Sequence, residues 1–494
     1  MSTLVILFYL AIALVSVVYF FIKKRLSYWS DRGIPHDEPS FLTGSMKGVG
    51  STRHFSDAYK KIYSRFKGKE QIVGFFNFMS PALMPLDLEI VKQILIKDFG
   101  SFSDRGLYVN ERDDPLSGHL VQLDGPKWKE LRHKLTPTFT SGKMKFMFPT
   151  VIEVGNRFGE VLAEKVPKEA IVEVTELLGR FTTDVIGTCA FGIECNSLRD
   201  PEAKFLKMGR ESLIGRHSFA VIGFMMAFPN LARFLHMKDN KEEVIEFFMK
   251  IVHENVDYRE KNNIHRNDFL NMLIEMKNKP NPELTMDELA AQSFIFFLAG
   301  FETSSTTMGF ALHELAVNQD IQDKLRAEIQ EVLQNHNGEF TYDCMVEMKY
   351  LDQVIDETLR KHSVVPHLIR KATVDYKIPQ TGTLVEKDTV VVVPVDAIHH
   401  DSEIYPNPEK FDPERFTAEA IQDRPQCAYL PFGDGPRNCI GLRFGKMQAR
   451  IGLVSLLRKF KFSVCDKTDV PLKKSSKGLL TSALNGIYLK AEKL

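Results

Sequence analysis

The chain has 494 residues and 56.4 kDa, with 64 Lys plus Arg against 64 Asp plus Glu, so its formal charge is zero and no basic face for nucleic acid is announced. Hydrophobic residues at 44 % and charged residues at 26 % are ordinary globular usage, which excludes disorder, a collagen-like repeat and a many-pass membrane protein. Six scattered cysteines without a C-x-x-C exclude a disulfide scaffold and a thiolate zinc site, and fit a reducing compartment.

Residues 2–22 carry no charge, and at about 1.5 Å rise per residue they just span a hydrocarbon core of roughly 30 Å. Bulky Tyr19, Phe20, Phe21 and Ile22 run straight into Lys23, Lys24 and Arg25 with no small-residue cleavage site, which predicts an uncleaved transmembrane anchor and not a secretory signal. Positive charge comes after this helix and none precedes it, which places the remainder in the cytosol. The absence of any N-x-[ST] acceptor agrees with that side. Residues 23–40 read as a basic, proline-containing lead-in, with Tyr28 and Trp29 at the headgroup level and Gly33, Pro35 and Pro39 making a stiff, non-helical approach to the globular part. Residues 41–494 contain no linker, charge block or repeat and are expected to form one continuous domain, mainly α with small β-sheets.

The clearest helix opens at Thr285, which forms a capping box with Glu288, and runs to about Val317. Its centre, Ala299-Gly300-Phe301-Glu302-Thr303-Ser304, is a poor helix interior. Gly300 costs roughly 1 kcal/mol relative to alanine, and Thr303 and Ser304 compete for carbonyls one turn back, so a local distortion is expected. Glu302 is ionisable among Phe294, Phe296, Phe297 and Leu298; it either lies on the helix's wet side or has a partner or a task. Apolar spacing at Ile321, Leu325, Ile329 and Leu333 predicts a helix over 320–333, and another covers 350–362. Strand signals concentrate in 370–395, around Val374, Tyr376, Ile378 and the run 390–393.

The loop Pro431-Phe432-Gly433-Asp434-Gly435-Pro436-Arg437-Asn438-Cys439-Ile440-Gly441 precedes a helical pattern over 442–460. Its backbone amides can turn inward, and a cysteine just before a helix start is where free amides and the helix dipole favour a thiolate. Such a thiolate is suited to ligate a metal while remaining a strong electron donor. Out of this context Cys439 would read as a small buried hydrophobe. Arg437 offers a permanent positive charge to a ligand carboxylate.

These stretches resemble the haem-thiolate monooxygenases of the cytochrome P450 family. The pattern F-x-x-G-x-R-x-C-x-G is met by Phe432, Gly435, Arg437, Cys439 and Gly441, and [AG]-G-x-[DE]-T-[TS] by Ala299, Gly300, Glu302, Thr303 and Ser304. Glu357 and Arg360 match E-x-x-R, which interlocks with the arginine of P-x-R-F, here Pro413, Arg415 and Phe416. Trp128 and Arg132 match W-x-x-x-R. The motifs keep the family's order across essentially the whole chain. The anchor and the stretch 28–35 most resemble the insect microsomal branch that handles xenobiotics and plant toxins.

The resemblance implies haem b (iron protoporphyrin IX) with Cys439 as its axial iron ligand. Arg437, Arg132, Arg370 and Arg105, with the Trp128 indole N–H, are the implied partners of the haem carboxylates, and Phe432 and Ala299 further haem contacts. Arg105 rests on the short match Phe102-Ser103-Asp104-Arg105, which a surface arginine would also satisfy. Thr303 and Glu302 are the implied catalytic pair, passing protons while one atom of O2 enters an apolar substrate and the other leaves as water. No G-x-G-x-x-G or Walker loop is present. Electrons are therefore expected from a separate NADPH-cytochrome P450 reductase, with cytochrome b5 as a second donor, in the endoplasmic reticulum membrane.

Arg443, Lys446 and Arg450, with Lys127 and Lys129, form either a dock for that acidic partner or a solvated face. The uncharged run 217–229 resembles a loop that dips into membrane lipid. Phenylalanines in 294–301 and 219–228 line a pocket, or belong to the core. One departure stands out: where many relatives have a proline pair, this chain reads Lys361-His362-Ser363-Val364-Val365-Pro366-His367. That segment borders the substrate side, so no substrate is inferred from relatives, and His367 faces either the pocket or solvent. A haem-thiolate isomerase or a haem-binding sensor would share the cysteine loop. The isomerase would usually depart from the pair Glu302 and Thr303, and the sensor has no need of it.

Overall fold

The computed structural model describes residues 3–214 and 217–494, without the side chains of Ile214, Phe219 and Ala220. Ser2, at the head of the expected anchor, and the Phe219 and Ala220 side chains of the uncharged run lie outside the described residues. The principal helices are α1 (Thr3–Leu26), α2 (Phe55–Phe66), α3 (Gly125–Leu135), α4 (Val174–Ile186), α5 (Lys204–Ile214), α6 (Met286–Val317), α7 (Gln319–Asn335), α8 (Lys349–Lys361) and α9 (Leu442–Leu457). The strands of the two larger sheets are β1 (Ile72–Asn77), β2 (Ser80–Pro85), β3 (Glu169–Glu173), β4 (Leu368–Lys371), β5 (Val390–Val393), β6 (Phe460–Ser463) and β7 (Tyr488–Lys493), and Tyr376–Lys377 pairs with Leu384–Val385 in a separate two-stranded ribbon.

The uncharged N-terminal run forms α1, which extends past residue 22 because Lys23, Lys24 and Arg25 suit the negative end of a helix. Among the described residues it is the one helix long and apolar enough to cross a membrane. The capping box at Thr285 is formed: Glu288 N donates to Thr285 Oγ1 at 3.2 Å and Thr285 N to Glu288 Oε2 at 2.9 Å. Helix α9 stops at Leu457, short of the expected 460, because Phe460 already opens β6.

Within the expected single domain, packing distinguishes two compact units. The first compact unit comprises Met1–Gly106, Val365–Ile398 and Pro425–Arg437. Its sheet runs β1-β2-β5-β4, with β1 and β2 an antiparallel hairpin, β2 parallel to β5 (Ala82 opposite Val390) and β4 antiparallel to β5 (Leu368 opposite Val393). The second unit comprises Leu107–Val364, His399–Arg424 and Asn438–Leu494. It holds α3 to α9 and the antiparallel sheet β3-β7-β6.

The core of the second unit is built on α6. Phe294, Phe297 and Phe301 are fully buried and pack against Phe248 and Phe205, with Phe297 and Phe301 stacked at 5.6 Å. These three rings are core and not pocket lining. The expected distortion at Gly300 is not a break, since α6 remains helical from Met286 to Val317. A Cβ on Gly300 would lie 2.5 Å from Ile186 Cδ1, so the glycine lets α4 approach α6 closely.

Glu357 and Arg360 are completely buried and form a double hydrogen bond, Nε to Oε2 at 2.7 Å and Nη2 to Oε1 at 2.8 Å. Arg360 also donates to the carbonyls of His399 and Pro408, while Glu357 Oε1 accepts from Asp412 N at 2.9 Å and lies 3.5 Å from Arg415 Nε. One helical turn of α8 thereby fastens the return chain 399–415. Removing one partner strands a buried charge, so Glu357→Ala should cost about 3–5 kcal/mol in urea-unfolding free energy, far beyond a surface pair.

Candidate active site

In the second unit, α6 is buried on every side except at its ends and over a short central patch. Ala299 is exposed and Glu302 and Thr303 are half-buried, at the i, i+3 and i+4 spacing that places all three on one face. Thr303 Oγ1 donates to Ala299 O at 2.5 Å, the back-bond expected of a hydroxyl inside a helix. Burial raises the Glu302 carboxyl above its ordinary pKa, opposed by the charge of Arg210 on α5. Glu302 thus sits on neither a wet nor a dry face, and it holds its proton more tightly than a solvated glutamate. Arg210 is a site residue that no sequence motif marks.

Helix α9 packs against α6: a Cβ on Gly445 would lie 4.0 Å from Ser304 Oγ, next to Thr303. Cys439 stands exposed three residues before α9. Arg132 on α3 reaches the preceding residue twice, donating from Nη1 to Asn438 O and from Nη2 to Asn438 Oδ1, each at 2.8 Å. Burial lowers the Arg132 pKa, and the charge of Cys439 works to raise it. An arginine therefore holds the backbone at the cysteine, and its charge there would favour a thiolate. Asn438 occupies an unspecified position of the cysteine-loop pattern, so its role has no sequence signal. Trp128, one turn earlier on α3, is buried.

The first unit contains the remaining predicted residues. Arg370 on β4 and Arg437 are 1 % and 3 % exposed, Arg105 is half-buried, and Phe432 is half-buried in the segment 425–437. Burial and the like charges of Arg105 and Arg437 push the Arg370 pKa down to about 9. Its Nε is buried with no hydrogen-bond partner among the described residues. Arg105 is thus a member of a cationic cluster and not an isolated surface arginine. His367 packs edge-on against Tyr59 at 5.1 Å and near Phe55 at 6.1 Å, both on α2. Burial, aided by His54, pushes its pKa down to about 4, so it is neutral and shielded by rings instead of turned to solvent.

The expected basic dock is largely neutralised. Lys446 pairs with Asp356 at 2.6 Å and Arg450 with Asp352 at 2.5 Å, two four-residue spacings interlocked between α9 and α8. Lys127 pairs with Glu111. Lys129 and Arg443 stay exposed and enter no ion pair among the described residues.

Comparison with known proteins agrees with this geometry. The family model for cytochrome P450 matches residues 35–489. The chain is 52 % identical over 493 residues to the protein named probable cytochrome P450 6a21 of Drosophila melanogaster, covering 98 % of both chains. It is 51 % identical to cytochrome P450 6a8 of the same organism over the full length of both, and 49 % identical to cytochrome P450 6A1 of Musca domestica over 97 % of this chain and 96 % of that one. The chain belongs to the cytochrome P450 family.

The family's cofactor is haem b, held through a cysteine thiolate, and its members are monooxygenases with O2, a small-molecule substrate and a redox partner. The residues present fit that group. The buried, unpartnered Nε of Arg370 beside like charges would suit a haem carboxylate, and an exposed sulfur near a guanidinium suits an iron ligand. Arg370→Met relieves repulsion in the haem-free protein while removing an expected carboxylate partner. The haem-free melting temperature should therefore stay level or rise, and haem should be lost several-fold faster to an apo-globin acceptor.

Proposed function

We propose that this cytochrome P450 is a membrane-anchored monooxygenase of the endoplasmic reticulum that inserts oxygen into apolar small molecules, whether xenobiotics, plant toxins, insecticides or endogenous lipophiles. Its electrons come from NADPH through NADPH-cytochrome P450 reductase, with cytochrome b5 as a second donor. The observation that carries the reading is that the accessible patch of Ala299, Glu302 and Thr303 lies on a helix packed against α9, at whose head Cys439 is exposed.

In this reading Cys439 would ligate the haem iron, Arg132, Trp128, Arg105, Arg370 and Arg437 would hold the haem carboxylates, and Phe432 and Ala299 would contact the haem. Haem, when bound through that thiolate, would supply the O2-activating chemistry. Thr303 Oγ1, now bonded to Ala299 O, is positioned to donate its proton and recover it from Glu302. Glu302 suits that task because burial keeps its carboxyl protonated above the ordinary glutamate range. Phe297 and Phe301 exclude water from the opposite face of the helix.

Lys23, Lys24 and Arg25 in the last turn of α1 favour a cytosolic catalytic part. A second lipid contact falls slightly later than the run 217–229, because Met225 packs into a buried cluster with Tyr108 and Ala232, whereas Phe228, Leu231, Phe234 and Leu235 are exposed. For the redox partner, Lys129 and Arg443 are the remaining basic contacts.

Cys439→Ser should fold and retain haem weakly, but its reduced, carbon-monoxide-bound form should lack the strongly red-shifted Soret band; a variant that keeps the band would sink the ligand assignment. For Glu302 the protonated form is the donor, so turnover should fall as pH rises through its elevated pKa. Glu302→Gln should lose roughly 10²-fold in turnover with added reductase and lose that pH limb, with the substrate-binding spectrum unchanged.

A further inference from the structure

Helix α5 lays one face on α6. Phe205 meets Phe297 of α6 with ring centroids 4.9 Å apart, and one turn further a Cβ on Gly209 would lie 2.5 Å from Phe297 Cζ, so the α5 backbone rests on that ring. Helix α4 reaches the neighbouring ring, where a Cβ on Gly179 would stand 3.6 Å from Phe301 Cε2. Both helices thus meet α6 in the turn before Glu302 and Thr303. Each carries an arginine beside its contact glycine, Arg210 on α5 and Arg180 on α4.

Arg210 follows the stripe of Leu206, fully buried four residues earlier, and is itself half-buried, whereas Lys204 and Lys207 of the same helix are exposed. The neighbouring charges have partners: Arg180 pairs with Glu176 at 2.5 Å and Glu211 with Lys241 at 2.7 Å. Arg210 enters no ion pair and no side-chain hydrogen bond among the described residues. Two carboxyls feel its charge. Glu176 is already held below its ordinary range by its bond to Arg180, with Lys165 acting on it as well, and Glu302 is the carboxyl whose neutral form burial favours. Lys165, Arg180 and Arg210 therefore share one carboxylate, and the charge left over is the one that acts on the accessible patch of α6. A half-buried guanidinium in that condition is a receptor for an anion.

We propose that Arg210 determines specificity by pairing with the carboxylate of an apolar acid whose hydrocarbon part lies along the patch of Ala299, Glu302 and Thr303. Resting on the monooxygenase reading above, this assignment names the substrate class: apolar carboxylates, in preference to neutral molecules of the same shape. The planar guanidinium can grip both carboxylate oxygens, which an ammonium group in its place does not do. A protonated Glu302 presents such a substrate with a hydrogen-bond donor and not with a like charge.

The test titrates the full-length holoenzyme with 6-phenylhexanoate and with its uncharged isostere 6-phenylhexanamide, following the substrate-induced shift of the Soret band in the parent, Arg210→Met and Arg210→Lys. The parent should bind the acid about ten-fold more tightly than the amide, and Arg210→Met should erase that ratio. Arg210→Lys should keep part of it, lowering the ratio about three-fold, and decides the matter should Arg210→Met fail to load haem. An arginine that only steadied Glu302 would alter both ligands alike, so an acid-to-amide ratio unchanged by either variant overturns the assignment. A parent that prefers the amide, or responds to neither compound, overturns it too. The reduced, carbon-monoxide-bound spectrum of the same parent sample separates the two readings. A strongly red-shifted Soret band without acid preference sinks the role of Arg210 alone, and absence of that band sinks the monooxygenase reading with it.

Discussion

Charge withdrawn from water must be answered by opposite charge or by dense hydrogen bonding, and this constraint shapes the chain at two places in different ways. Glu357 and Arg360, fully buried, are answered by protein: two hydrogen bonds to each other, carbonyls for the guanidinium and an amide for the carboxylate. Arg370 is answered otherwise, for the charges that act on it are Arg105 and Arg437, of its own sign. In the proposed haem site such like charges would favour an entering anion, which would link haem binding to stability.

Helix α8 transmits the first of these answers to the cysteine. It carries Glu357 and Arg360, which fasten the chain 399–415, and also Asp352 and Asp356, which hold Arg450 and Lys446 of α9. The helix that begins after Cys439 is thus clamped along its length by ion pairs and along its other face by α6. Arg132 then fixes the residue before the cysteine. A sulfur placed by three such elements has little freedom to relax, which suits a ligand that must keep one orientation through a redox cycle.

Much of this was legible in residue patterns because the motifs carry their own chemistry. The capping box at Thr285, the helix opening after Gly441 and the pairing of Glu357 with Arg360 each arise from local or one-turn geometry. The hairpin of β1 and β2 was not legible. Its turn uses Phe78 at positive φ and Met79 in place of glycine or asparagine, so the usual punctuation is missing. The division into two units was equally silent, because it arises from interleaved segments with no linker between them. Charge neutralisation of the dock was invisible for a related reason: Lys446 and Arg450 meet acids about ninety residues away in sequence.

The departure after Arg360 shows the same constraint at work. In the second unit His362 and Ser363 are interior. His362 Nε2 meets Glu314 of α6 at 2.6 Å, Lys361 approaches the same carboxylate at 2.9 Å, and Ser363 Oγ meets His399 Nδ1 at 2.9 Å. Thr481 closes the set by donating to Ser363 O and Val364 O. Buried, fully polar contacts of this kind demand particular geometry, where a proline pair would demand only a backbone conformation. The segment therefore differs from that pattern in what holds it. An ion pair to the helix that bears Glu302 and Thr303 ties the position of this segment to that helix.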